Sequence, residues 1–139
     1  MRWKEGLIIS CLVDSDVCID YLRGREYTQV LFRKWMEKGL LSISAITHLE
    51  IYAGMRKGEE GGTVDFLDNM VTVPVDESVA GSAGNIIRRL KAKGLTMSPM
   101  DSIIAASALF AGVTLITNNV DDYPAPQISG LVVINGMGT

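Results

Sequence analysis

Apolar and polar positions fall into blocks along this chain, and the period switches from block to block. Leu7 to Val13 is a nearly unbroken apolar run that stops at Asp14-Ser15-Asp16, the pattern of a strand buried on both faces. A short helix closed by Gly24 follows. Next comes a second helix, in which Tyr27, Leu31 and Trp35 recur at helical spacing until Gly39. Leu40 to Ser44 predicts a second strand. From Ala45 to Lys57 the period is helical again: Ile46, Leu49 and Ala53 share one side, and Glu50 borders it. Gly58-Glu59-Glu60-Gly61-Gly62 predicts a loop, too short to separate domains. Beyond it the pattern gives a helix over Thr63 to Met70 and a strand over Val71 to Val75, where Pro74 favours an edge or a strand end. A long helix over Asp76 to Lys93 follows. Ser98-Pro99-Met100-Asp101 then opens a small-residue apolar helix that Gly112 ends. Val113 to Thr117 and Leu131 to Ile134 are the last strands.

Strands that alternate with helices throughout predict an α/β fold: three layers, with a central, mostly parallel sheet flanked by helices. In such sheets ligands bind outside the carboxyl ends of the strands. Asp14 and the segment from Thr117 to Asp122 fall just past strand ends. Glu50 and Asp101 lie on helices that can reach the same edge.

The 139 residues fit one domain spanning 1–139. Hydrophobic residues at 47% and charged residues at 21% supply a real core and exclude disorder. A net charge of -3 argues against a protein that grips nucleic acid by bulk positive charge. It leaves a nuclease open, because bound metal can neutralise part of that charge. Cys11 and Cys18 match neither a Cys-x-x-Cys motif nor a zinc spacing and read as buried free thiols. No apolar run reaches membrane length, so a soluble, cytoplasmic protein is expected.

The chemistry sits in the acids. Asp14, Glu50, Asp101 and the pair Asp121-Asp122 each border an apolar segment. Each alone has a plain structural use. Asp14 or Asp16 can cap a helix, Asp101 suits the first turn of one, Glu50 can be solvated, and Asp121-Asp122 can serve a turn. Together at one sheet edge they would repel and raise one another's pKa, and a hard divalent cation relieves that repulsion. The residues thus point to metal-dependent phosphoryl transfer or phosphodiester cleavage. His48 lacks the partners of a triad or zinc site. Ala80-Gly81-Ser82-Ala83-Gly84 lies inside a helical pattern, which is wrong for a serine nucleophile. Arg88, Arg89, Lys91 and Lys93 complement a helix C-terminus. Neither a Walker A motif nor Gly-x-Gly-x-x-Gly is present.

The order and context of the acids carry a resemblance. Leu12-Val13-Asp14-Ser15-Asp16 and the residues to Gly24, Ser42 to Gly54 around Glu50, Asp101 to Ala108, and Leu115 to Tyr123 resemble the four motifs of PIN-domain ribonucleases. Among these, small single-domain chains are most often VapC-type toxins of toxin–antitoxin pairs. The resemblance implies an endoribonuclease dependent on Mg²⁺ or Mn²⁺. Asp14, Glu50 and Asp101 match the acidic triad, Asp122 matches the fourth acidic position, and Asn119 is its rival there. Asp14 and Asp101 would be the main metal ligands, with Glu50 a ligand or a water-positioning base. Ser15 and Thr117 match supporting hydroxyls. Position 16, usually Asn, is Asp16 here, which adds a negative charge. The run before Asp14 is longer than usual in these toxins, so residues 1–6 read as an N-terminal extension or a misassigned start. An RNA substrate, a homodimer and an antitoxin that masks the acidic site are implied by the same resemblance.

Two other readings compete. Asp14-Ser15-Asp16 after a strand resembles the nucleophile motif of haloacid-dehalogenase-type phosphatases. However, no lysine follows Lys93 to supply the next motif. A PIN-like module that only binds a protein partner is the other, and the intact acid set argues against it.

Overall fold

The structure, a computed structural model, describes residues 6–138, so the expected extension lies outside the described residues except for Gly6. Five strands, β1 (Ile9–Val13), β2 (Leu40–Ser44), β3 (Val71–Val73), β4 (Thr114–Thr117) and β5 (Val133–Asn135), alternate with six helices. The helices are α1 (Ser15–Leu22), α2 (Glu26–Met36), α3 (Ala45–Ala53), α4 (Glu60–Asp68), α5 (Glu77–Ala92) and α6 (Pro99–Ala111). The sheet order is β3-β2-β1-β4-β5, and all four pairings are parallel. The three-layer α/β expectation therefore holds. Pro74 lies just past β3, an edge strand, where its missing N–H costs no ladder bond.

Strand alternation divides the core in two. Leu12 and Leu115 face one side, where they pack with Val79, Ile86 and Leu90 of α5 and Ile104 and Ala108 of α6. Cys11, Val13 and Ile116 face the other, against Val17 and Cys18 of α1, Phe32 and Trp35 of α2 and Phe66 of α4. Both faces are covered, which is why the central strands read as continuous apolar runs. Cys11 and Cys18 are buried and free. Burial holds the Cys11 thiol up at about 12, so it stays protonated.

Several boundaries move: β1 begins at Ile9 rather than Leu7, α3 ends at Ala53 with Gly54 as its cap rather than at Lys57, and β3 ends at Val73, just before Pro74, rather than at Val75. The segment expected as a loop over 58–62 keeps its turn at Gly58, but Glu60, Gly61 and Gly62 form the first turn of α4. The Thr63 amide bonds Glu59 O at 3.0 Å, and burial of Thr63, Phe66 and Leu67 outweighs the poor helix propensity of two glycines. Leu131 leaves the last strand to enter the core beside α6, and β5 begins at Val133. No helix among the described residues is long and apolar enough to cross a membrane.

The parallel order fixes where a site can form. The chain moves outward from β1 to β2 and β3, then returns to place β4 on the other flank of β1. The carboxyl ends of β1 and β4 therefore bound the point where the strand order reverses, the ligand-binding crevice of such sheets.

Candidate active site

Asp14 is the first residue past β1, and its amide completes the ladder by donating to Ile116 O at 2.9 Å. It also caps α1: its Oδ1 accepts from the Ser15 amide at 2.7 Å. The capping role and the site role thus fall on one side chain. Its Oδ2 accepts from Thr117 Oγ1 at 2.8 Å and from Tyr123 Oη at 3.0 Å. Asp14 is only 6% exposed. Burial is the main cause that pushes its carboxyl up to about 7, and the Asp16 charge adds to it despite the three donors.

The other acids reach Asp14 through single shared groups. Ser15 Oγ donates to Glu50 Oε1 at 2.5 Å, with Thr47 Oγ1 3.2 Å away, so α1 and α3 are locked together at the site. Ser44 caps α3, accepting from the Ile46 amide at 3.3 Å and from Ser107 of α6 at 2.8 Å. Asp101 lies in the first turn of α6, where Ser98 accepts from its amide at 3.1 Å. Tyr123 Oη stands 3.3 Å from Asp101 Oδ1. Glu50 and Asp101 are both half-buried.

Asp16 serves a different purpose. Its Oδ2 accepts from the Asn118 amide at 2.9 Å and from Asn119 Nδ2 at 3.0 Å, while Oδ1 accepts from the Val17 amide at 2.8 Å. It ties the segment after β4 to the start of α1. Burial is again the first cause that raises its pKa. Thr117 is fully buried and takes the Asn119 amide at 3.0 Å on the oxygen that donates to Asp14. Asp122 is exposed in a 3-10 turn over Val120–Asp122, its amide bonded to Asn119 O at 2.9 Å. It stands at the rim while Asn119 touches the network directly. His48 points away and pairs with Thr72 of β3 at 2.9 Å.

Tyr123, Thr47 and Asn118 belong to this network and had no marker in the sequence pattern. Tyr123 could have been flagged, since a tyrosine that ends up buried must place its hydroxyl on a partner. Its phenol is held well above its ordinary pKa by burial and the Asp14 charge, so it is a donor only.

The donor set is all oxygen and anionic, and the charge acting on Asp14 is that of another anion. That chemistry fits a hard divalent cation. Among the described residues, no three acidic, histidine or cysteine side chains form a ready-made metal shell. A cation held by one or two carboxylates, with water and a substrate phosphate completing the shell, fits the arrangement. Asp14, Asp101 and Glu50 are the candidate ligands.

The family model described as PIN domain matches residues 11–124, from within β1 through Pro124. The chain belongs to the PIN-domain family. Ribonuclease VapC10 from Mycobacterium tuberculosis is 34% identical over 117 residues, covering 81% of this chain and 85% of that protein. Ribonuclease VapC19 from the same organism is 29% identical over 114 residues, covering 81% and 91%. A solved toxin-antitoxin complex from Klebsiella pneumoniae contains a chain with TM-score 0.74 and 27% identity, covering 88% of this chain and 96% of that one. The matched span of the PIN domain encloses every residue of the network built above.

Proposed function

We propose that this PIN domain is a metal-dependent endoribonuclease that hydrolyses RNA phosphodiester bonds and acts as the toxin of a toxin–antitoxin pair. The observation that carries the reading is Asp14: a buried carboxyl at the strand-reversal point, linked to Glu50 through Ser15, whose amide donates to Asp14 and whose hydroxyl donates to Glu50, and to Asp101 through the Tyr123 hydroxyl. Relatives named as ribonucleases supply the reaction class, and the toxin-antitoxin complex supplies the kind of partner. Membership of the PIN family displaces the phosphatase alternative.

A bound Mg²⁺ or Mn²⁺ supplies a water of lowered pKa and offsets charge on the reacting phosphate. Asp14 and Asp101 are the main ligands in this reading. Glu50, held by Ser15, ligates or accepts a proton from the attacking water. Thr117 and Ser15 fix the orientation of Asp14. Asp16 holds the segment after β4 in place, and Asn119 or the outlying Asp122 fills the fourth position.

The test is cleavage of a panel of structured RNAs with Mg²⁺, Mn²⁺ or EDTA, run beside Asp101→Asn. Cleavage is expected only with metal. The variant should lose on the order of a hundredfold or more in rate, equivalent to a few kcal/mol of transition-state stabilisation. Cleavage that persists in EDTA, or at an undiminished rate in Asp101→Asn, refutes the reading. Retained partner binding without any cleavage would favour the non-catalytic module.

A further inference from the structure

Tyr123 ends the 3-10 turn over Val120–Asp122. The two acids before it face solvent, while its own ring is 3% exposed and packs into the apolar layer between the sheet and α6. Its hydroxyl emerges from that layer between two carboxylates carried by different elements: Asp14 Oδ2 at 3.0 Å, past β1, and Asp101 Oδ1 at 3.3 Å, on α6. No hydrogen bond of the backbone ladder joins these two acids. One phenolic oxygen spans the gap.

We propose that Tyr123 is the positioning residue that holds Asp14 and Asp101 in register for a shared divalent cation. This rests on the metal-dependent reading above and adds a residue to it. Two anions on separate elements repel and would splay apart without a donor between them. A phenol has one proton, and here two acceptors lie within reach. When a cation occupies the Asp14 oxygen, the proton can pass from that bond to Asp101. The phenol then holds Asp101 while the cation holds Asp14, so the two carboxylates stay in register. Thr117, the other side-chain donor to Asp14 Oδ2, cannot do this, because its contacts do not include Asp101.

The experiment is Mn²⁺ titration by calorimetry on the full chain and on Tyr123→Phe, with circular dichroism and a melting curve to establish that the variant folds. The ring of Tyr123→Phe keeps its apolar contacts. Mn²⁺ affinity is expected to fall about tenfold, the low end for loss of a group that orients a metal ligand. In the cleavage assay the Mn²⁺ concentration for half-maximal rate should rise by the same factor, with the rate at saturating Mn²⁺ and the KM for RNA held within about twofold. A second variant with 3-fluorotyrosine placed at position 123 retains the hydroxyl and should bind within twofold of the natural protein. Equal or tighter Mn²⁺ binding by Tyr123→Phe overturns the proposal. So does a 3-fluorotyrosine variant as weak as Tyr123→Phe, since ring packing would then set the affinity. Absence of Mn²⁺ binding by the natural chain would instead sink the metal-dependent reading on which this one stands.

Discussion

Asp14 is where burial and function conflict most directly. Its folded pKa is raised from 3.8 to about 7, so between these values the native state holds a proton that the unfolded chain has released. The associated stability is fully present below about pH 4 and is lost as pH rises through about 7. A shift of this size corresponds to a ceiling of roughly 4 kcal/mol. In EDTA, urea midpoints should therefore fall between about pH 5 and pH 8, and Asp14→Asn should flatten that slope. A slope unchanged in the variant would mean that Asp14 is not the buried proton. The raised pKa of Asp16 has the same sign and sharpens the trend. The sequence marked Asp14, Glu50 and Asp101 because acids at the ends of apolar segments are conspicuous. It did not mark Tyr123 or Thr47 as site residues, because the partner of a hydroxyl is set by the element across from it, which the local pattern does not specify.

At the level of elements, the boundaries that the pattern read well are those with a local cause. Ser98 and Pro99 start α6, Gly112 ends it in a left-handed conformation with φ 70, and Asp76 caps α5. The start of α4 was misread because Gly61 and Gly62 look like a loop until Phe66 and Leu67 are buried. Gly39 shows the same dependence on neighbours. A Cβ there would lie 2.8 Å from Ile8 O and 3.0 Å from the Ser10 amide, both backbone atoms where β2 joins β1. Gly39→Ala should cost about 1–3 kcal/mol, because the strand pair cannot yield locally. Chemical denaturation reads this directly, and a cost near zero would show that the chain adjusts around the methyl group.

For the molecule as a whole, the site is a seam between β1, α3, α6 and the segment after β4, so a ligand there should tighten all of them at once. A cation that binds only the folded chain should stabilise it by about 2.7 kcal/mol at a hundred times its Kd. Mn²⁺ is expected to raise the melting temperature of the natural protein, more strongly above pH 7 than below it, because protons and metal compete for Asp14. Asp14→Asn should abolish most of that rise. A melting curve indifferent to Mn²⁺ would argue that the acids do not act together.

Local order came from the chain itself. Alternating periods, caps and glycine stops depend on interactions a few residues long, and they were enough to name five strands, six helices and a parallel sheet. Strand order, the reversal between β1 and β4, and the meeting of positions 14, 50, 101 and 123 depend on contacts between residues far apart in sequence. They exist only once both faces of the sheet are covered. Asp14 is therefore visible in the sequence as an acid, but its retained proton, its three donors and its link to Asp101 through Tyr123 arise from burial in the folded molecule.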